Sequence, residues 1–127
     1  MGVSESRRIL VVEDDPSISL GLRMNLQAEG YTVTLADDGV VGLKLAQDEP
    51  WDAIILDVML PGLNGFEIVK RLRSAEDDTP ILMLTARGFS ISKDELDKTN
   101  IIEVLSKPFS PRDILERVKS VFESQTI

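Results

Sequence analysis

The 127-residue sequence contains no cysteine and no histidine. Without cysteine the chain can form neither disulfide bonds nor thiolate metal sites. Without histidine it lacks the commonest general base and zinc ligand. Any chemistry must therefore rest on carboxylates, hydroxyl groups and lysine.

Positive charge is in the minority, with 14 lysine and arginine residues against 22 aspartate and glutamate residues and a formal net charge of -8. Such a field repels nucleic acid and anionic membrane, so direct binding to either is not expected. No apolar run approaches the roughly 18 residues that a membrane crossing needs, and the polar start MGVSESRR lacks the apolar core of a signal peptide. We expect a cytoplasmic protein.

The composition is that of a globular protein, with 43% hydrophobic and 28% charged residues. The length is that of one ordinary domain and is sufficient to bury a core. We therefore expect a single domain over residues 1–127 with no effector domain, in the form of a monomer or a weak dimer.

Short apolar runs alternate five times with amphipathic stretches. Because the runs are almost wholly apolar, they predict an α/β fold in which helices cover both faces of a parallel sheet. The predicted strands are 8–12, 31–36, 52–57, 80–85 and 101–106. The predicted helices lie within 14–30, 38–49, 66–73, 90–100 and 110–124.

Two of these helices carry clear start signals. Asp15 and Ser110 are expected N-caps, because each precedes a proline that suits the first helical position. Gly30 is expected to end the first helix. These signals fix where the chain turns from strand to helix.

The apolar faces of the helices differ in strength. In the second helix, Val40, Leu43 and Ala46 are expected to face the core. The stretch 90–100 has only Ile91 and Leu96 as strong apolar anchors. Its helix should therefore be short and loosely held.

Polar residues stand at or just after the carboxyl ends of four predicted strands: Glu13, Asp14, Asp57, Thr85 and Lys107. In an open parallel sheet, ligands bind outside these ends. Each residue alone also suits a structural role, such as a helix cap, a turn residue or a solvated charge. Their shared position at strand ends favours a common site.

Three carboxylates brought together would repel one another unless a cation lay among them. Mg²⁺ suits such a site, because it takes hard oxygen ligands and commonly shares its shell with phosphate. Lys107 and the Thr85 hydroxyl would then contact the remaining phosphoryl oxygens. Asp57, held at the end of an apolar strand, would be the nucleophile and form an acyl phosphate.

Four segments carry a resemblance to a known family: ILVVEDDPSI, DAIILDVMLPGLNGFEIVKRLR, PILMLTAR and LSKPFSPRDILERV. In order and spacing they resemble the receiver domain of bacterial two-component response regulators. The resemblance covers a core of about residues 8–122. It implies a flavodoxin-like sheet of strand order 2-1-3-4-5, in which the five polar residues converge on one edge.

The resemblance also implies roles for individual residues. Asp57 would be the phosphoacceptor, supplied by a phosphohistidine on a sensor histidine kinase or on a histidine phosphotransfer protein. Asp14 and Asp57 would bind Mg²⁺ directly together with the backbone carbonyl of Met59, and Glu13 would act through water. Thr85 would be the switch hydroxyl.

By the same resemblance, Lys107 would contact the phosphoryl group and precede a cis peptide to Pro108.

One position departs from the family pattern. Val104, three residues before Lys107, stands where the family usually has tyrosine or phenylalanine. The resemblance implies phosphorylation that changes the surface of the fourth and fifth strands and their helices, and Val104 puts the usual route of that change in doubt.

Two other functions would use similar residues. A haloacid dehalogenase-like phosphatase also uses a strand-end aspartate, but it usually needs a second acid two residues later, where this chain has Met59. A receiver-like binding module that does not use phosphorylation would be expected to have lost one of the five polar residues. The favoured interpretation is a signalling receiver that catalyses only its own phosphorylation and dephosphorylation.

Overall fold

The structure, a computed structural model, describes residues 6–86, 92, 94, 101 and 103–124. Five strands and four helices lie within this part of the chain. The strands are β1 (Arg8–Val12), β2 (Thr32–Ala36), β3 (Ala53–Asp57), β4 (Ile81–Thr85) and β5 (Glu103–Ser106). The helices are α1 (Pro16–Ala28), α2 (Gly39–Asp48), α3 (Gly65–Ser74) and α4 (Pro111–Ser124).

The strands form one parallel sheet of order β2-β1-β3-β4-β5. This order confirms the fold class predicted from the sequence. The register pairs Val12 of β1 with Leu56 of β3, and Thr85 of β4 with Ser106 of β5. Because all strands run the same way, their carboxyl ends lie at one edge of the sheet.

Each face of the sheet carries its own apolar layer. The layer on one face includes Leu10, Ile54 and Met83 and is covered by α2 and α3. The layer on the other face includes Ile9 and Ile55 and is covered by α1 and α4. Since side chains alternate along a strand, runs with no polar residue are needed to supply both layers.

The predicted helix starts are confirmed. The Asp15 carboxylate accepts a hydrogen bond from the Ser17 amide at 2.9 Å and caps α1. At α4 the Ser110 hydroxyl accepts from the Asp113 amide, and the Asp113 carboxylate accepts from the Ser110 amide. This reciprocal pair is a capping box, which satisfies two backbone donors at the start of the helix.

The prediction that Val40 faces the core is wrong, because its side chain is 60% exposed. The buried stripe of α2 is instead Gly39, Gly42, Leu43 and Ala46. Gly42 allows this rotation, since a Cβ there would lie 2.6 Å from a methyl carbon of Val12. The helix therefore approaches β1 on its glycine side.

Two sequence predictions for residues 90–106 and one on membrane spans are still to be compared with the structure. Apart from Ser92 and Asp94, the predicted helix of residues 90–100 lies outside the described residues, and β5 begins at Glu103, two residues later than predicted. Among the described helices, none combines the length and apolar character that a bilayer crossing would require.

Candidate functional site

The polar residues predicted from the sequence meet at the carboxyl edge of the sheet. Glu13, Asp14 and Asp57 each offer an oxygen to a group in which the three atoms lie within 4.8 Å of one another. The Lys107 ammonium lies 3.6 Å from Asp57 Oδ2 and 3.9 Å from Glu13 Oε1. Thr85 ends β4, next to the strand that carries Asp57.

The three carboxylates differ in exposure. Glu13 and Asp57 are buried, with 1% and 3% of their surfaces exposed, whereas Asp14 is exposed to solvent. An ion at this position would therefore be reached from the Asp14 side. Burying ionised carboxylates is costly unless opposite charge or hydrogen bonds compensate.

The loop that follows β3 fixes the orientation of Asp57. The Met59 amide donates a hydrogen bond to Asp57 Oδ1 at 3.0 Å, while Oδ2 faces the Lys107 ammonium. The Met59 side chain points outward and is 66% exposed. The backbone of Met59, not its side chain, therefore belongs to the site.

The backbone at the end of β5 is tied to β4. The Lys107 amide donates to the Thr85 carbonyl at 2.9 Å, and the Lys107–Pro108 peptide is cis, as the resemblance implies. This bond places the Lys107 backbone beside the end of β4. Its ammonium group reaches back across the edge to the carboxylates.

Two buried polar atoms at this edge have no hydrogen-bond partner in the described structure: Glu13 Oε1 and Thr85 Oγ1. Buried polar groups are paired in the great majority of cases, so each exception needs an explanation. Glu13 follows β1 and Thr85 ends β4, so the two atoms lie on either side of β3, the strand that carries Asp57. They fit a site whose partners are an ion and a bound group.

Burial, together with the adjacent Asp57 carboxyl group, raises the pKa of the Glu13 carboxyl to about 8. The Asp15 amide, which donates to Glu13 at 3.1 Å, and the Lys107 ammonium act in the opposite direction. When both are ionised, the Glu13 and Asp57 carboxylates repel each other. A divalent cation beside them would stabilise both charges.

Gly65 is a site residue to which the sequence analysis assigned no role. A Cβ at this position would lie 2.4 Å from the Asp57 carbonyl oxygen, so only glycine lets α3 begin against the backbone of the nucleophile candidate. Its amide donates to the Val58 carbonyl at 2.9 Å. The signal was available, since glycine is a poor choice inside a helix.

Val104 lies in β5, two residues before the end of that strand. It pairs with Met83 in the register of β4 and β5 and is half-buried against the apolar layer of that face. Thr85 follows Met83 by two residues, so Val104 and Thr85 belong to the same face of the sheet. The switch role of Val104 remains a prediction.

A five-stranded parallel sheet of order β2-β1-β3-β4-β5 with helices on both faces defines the flavodoxin-like class of α/β proteins. The comparison with known proteins then settles the family. The family model of the response regulator receiver domain matches residues 9–119 of the sequence, and the chain belongs to this family. It is thus a signalling module of two-component systems.

Three relatives illustrate the similarity. The alkaline phosphatase synthesis transcriptional regulatory protein PhoP of Bacillus subtilis is 43% identical over 127 residues, covering 96% of this chain and 51% of PhoP. The chemotaxis response regulator CheY4 of Vibrio cholerae has a TM-score of 0.82 at 38% identity, covering 92% of this chain and 99% of CheY4.

The third relative is the response regulator TrrA of Thermotoga maritima, solved in complex with Mg²⁺-BeF. It has a TM-score of 0.77 at 34% identity and covers 91% of this chain and 98% of TrrA. The chain spans about half the length of the curated relatives it matches. Family membership does not favour the phosphatase or the phosphorylation-independent binding module.

Proposed function

We propose that this receiver domain is a switch in which Asp57 accepts a phosphoryl group from a phosphohistidine on a sensor histidine kinase or a histidine phosphotransfer protein. One observation carries the proposal. The buried Asp57 carboxylate is held by the Met59 amide, faces the Lys107 ammonium and lies with Glu13 and Asp14 in one acidic group.

The transfer itself needs only one nucleophile. An Asp57 carboxylate oxygen attacks phosphorus, the nitrogen–phosphorus bond of the donor breaks, and its electron pair leaves with the imidazole. The product is an acyl phosphate on Asp57. The hydrogen bond from Met59 leaves Oδ2 as the oxygen on the Lys107 side.

The donor set fits Mg²⁺. Asp14 and Asp57 would bind the ion directly with the Met59 carbonyl, and Glu13 would act through water. When bound, the ion neutralises charge that develops on the phosphoryl oxygens. The orphaned Glu13 Oε1 and the clustered carboxylates support this assignment, as does TrrA, the relative solved with Mg²⁺-BeF.

Thr85 and Lys107 would contact the phosphoryl group. The Lys107 ammonium, already 3.6 Å from Asp57 Oδ2, offers positive charge to one oxygen. Among the described residues, the fully buried Thr85 hydroxyl has no hydrogen-bond partner, and it offers a donor to another phosphoryl oxygen. Preorganised donors of this kind stabilise transferred charge without reorganisation.

The change that follows phosphorylation would leave Asp57 through Thr85 and residues 86–94. Val104 cannot act as a rotating aromatic side chain, because valine is small and its first torsion is restricted. The weak apolar anchoring of the sequence 90–100 would let this stretch rearrange at low cost.

Intact-mass spectrometry tests the proposed function. Incubation with acetyl phosphate or phosphoramidate and Mg²⁺ should add one phosphoryl group to the wild type and none to Asp57→Asn, because the substitution removes the proposed nucleophile. A chelator should abolish the adduct. Asp52→Asn, which alters a carboxylate at the other end of the same strand, is the matched control and should react normally.

Full adduct yield on Asp57→Asn would refute the assignment of the acceptor. Equal yield with and without chelator would refute the role of the metal.

A further inference from the structure

The loop between β3 and α3, residues 58–64, lies against the first residue of α2. The Gly39 amide donates to the Pro61 carbonyl at 2.9 Å. A Cβ at Gly39 would lie 1.8 Å from the Leu63 carbonyl oxygen and 2.6 Å from its carbon. The obstacle is backbone, so a side chain at residue 39 would have to displace the loop until that separation exceeded 3.0 Å.

The same loop holds Asp57 at its other side. The Val58 amide donates to the Leu84 carbonyl at 3.0 Å, which anchors the start of the loop to β4. The next amide, from Met59, donates to Asp57 Oδ1. A displacement at Pro61 and Leu63 is therefore only two to four residues from the hydrogen bond that orients the carboxylate.

The middle of the loop has little room to absorb such a displacement. Gly62 adopts a positive φ of 84°, and a Cβ there would lie 3.2 Å from a methyl carbon of Val40. Leu60 and Leu63 pack against the apolar layer covered by α2 and α3. A shift of Leu63 would have to spread along the loop towards Met59.

We propose that Gly39 is a positioning residue for the phosphoryl-acceptor site. By letting α2 begin in contact with the loop backbone, it sets the position of Met59. It thereby sets both the orientation of Asp57 and the place of the Met59 carbonyl. The inference rests on the proposed function, since it assigns a residue that prepares the site for Mg²⁺ and the phosphoryl group.

A purely structural role would predict a different result. A destabilising substitution lowers the free energy of unfolding but leaves metal affinity unchanged while the protein stays folded. A positioning residue changes metal affinity at equal folded fraction. Groups that orient metal ligands typically alter affinity by about 10–100-fold when they are changed.

The experiment compares two matched pairs of glycine-to-alanine variants. Gly39→Ala is paired with Gly21→Ala, a helical glycine whose added Cβ would only make an ordinary contact of 3.6 Å with Pro111. Gly62→Ala is paired with Gly30→Ala, which also has positive φ, at 95°, but lies in open space at the end of α1. The Mg²⁺ dissociation constant is measured by calorimetry and the folded fraction by circular dichroism.

The phosphorylation rate with phosphoramidate is measured as a function of Mg²⁺. Gly39→Ala should bind Mg²⁺ about tenfold or more weakly than Gly21→Ala and need correspondingly more Mg²⁺ for half-maximal rate. Gly62→Ala should lose affinity relative to Gly30→Ala. If Gly39→Ala does not fold, this second pair decides.

Equal Mg²⁺ affinity in Gly39→Ala and Gly21→Ala would overturn the inference while leaving the proposed function intact. So would equal affinity in the second pair if the first pair cannot be folded. A wild type that neither binds Mg²⁺ nor takes up a phosphoryl group would overturn the proposed function and the inference with it. A wild type that binds Mg²⁺ without phosphorylation would overturn the proposed function and the phosphoryl-acceptor part of the inference, whereas the affinities would still decide whether Gly39 positions the metal ligands.

Discussion

The two edges of the sheet differ in how their polar groups are paired. At the amino edge, the Arg8 amide donates to Asp52 Oδ2 at 2.7 Å, and the Asp52 amide donates back to the Arg8 carbonyl at 2.8 Å. The Arg8 guanidinium donates to the Pro50 carbonyl, pairs with Glu49 and lies 4.4 Å from the centre of the Trp51 ring. Polar groups there join β1 to β3.

At the carboxyl edge, the same two strands end in carboxylates that repel one another. Glu13 and Asp57 are buried together with Asp14 nearby, and the Lys107 ammonium approaches no closer than 3.6 Å. Within the part of the chain that the structure describes, Glu13 Oε1 and Thr85 Oγ1 lack hydrogen-bond partners. Local rules of pairing are broken here, as they typically are at functional sites.

The difference shows how the sheet supports its site. Mutual pairing at the amino edge and two apolar layers hold the strands in register, so the carboxylates at the other edge cannot move apart. The repulsion that results is the property that makes the site ready for a cation. The amino edge therefore contributes stability, and the carboxyl edge contributes affinity for a ligand.

The largest expected difference between the edges is in metal binding. Asp14→Asn should weaken Mg²⁺ binding by roughly 100-fold, because it removes a direct ligand, whereas Glu13→Gln should weaken it by about tenfold. Calorimetry is the measurement, since Trp51 lies at the amino edge and its fluorescence is a distant reporter. Unchanged affinity in Asp14→Asn would rule out the site.

The control for this prediction is Asp52→Ala at the amino edge. It should leave Mg²⁺ affinity unchanged but lower the free energy of unfolding by about 1 kcal/mol, because the Arg8 amide loses its acceptor. Loss of Mg²⁺ affinity in this variant would show that the two edges are not separate.

The second prediction concerns pH in the absence of magnesium. The folded state raises the pKa of Glu13 from 4.5 to about 8, so it binds the proton more tightly than the unfolded state does. The free energy of unfolding should therefore be highest near or below pH 4.5 for this group and fall as pH rises towards 8, by up to about 5 kcal/mol.

Denaturant unfolding across this pH range, with chelator, provides the measurement. Glu13→Gln should remove the decline, because glutamine does not titrate, and added Mg²⁺ should reduce it in the wild type. An identical slope in wild type and Glu13→Gln would contradict the prediction. Asp52→Ala should keep the wild-type slope at lower stability.

The smallest expected effect is the response to beryllofluoride with Mg²⁺, a mimic of the phosphoryl group. Hydrogen exchange should change mainly in residues 86–94, because the signal leaves through Thr85, and it should not change at the amino edge around Arg8 and Asp52. A dominant change in residues 101–106 with none in 86–94 would contradict the route and restore Val104 as the main switch position.

Much of this arrangement could be predicted because it depends on neighbours in the chain. The apolar runs identify the strands, and the residues at their ends identify Glu13, Asp57 and Thr85 as candidates for one edge. The caps at Asp15 and Ser110 could be predicted for the same reason, since a cap bonds to amides two or three residues away.

The features that could not be predicted join residues far apart in the sequence. Local pattern does not decide the rotation of α2, which exposes Val40 and buries Gly42, because that depends on the shape of Val12 in another element. The contacts of Gly39 with Leu63 and of Gly65 with Asp57 depend on how α2 and α3 pack on the sheet.

Local pattern is therefore sufficient to identify which side chains are available, in which strands and helices they lie, and the family to which the chain belongs. The distances between the carboxylates, the burial that raises the pKa of Glu13, and the backbone contact that places Met59 beside Asp57 follow from the packing of the folded chain. The reason is physical: periodicity and capping are local, whereas burial, charge repulsion and close packing arise only when separate segments meet.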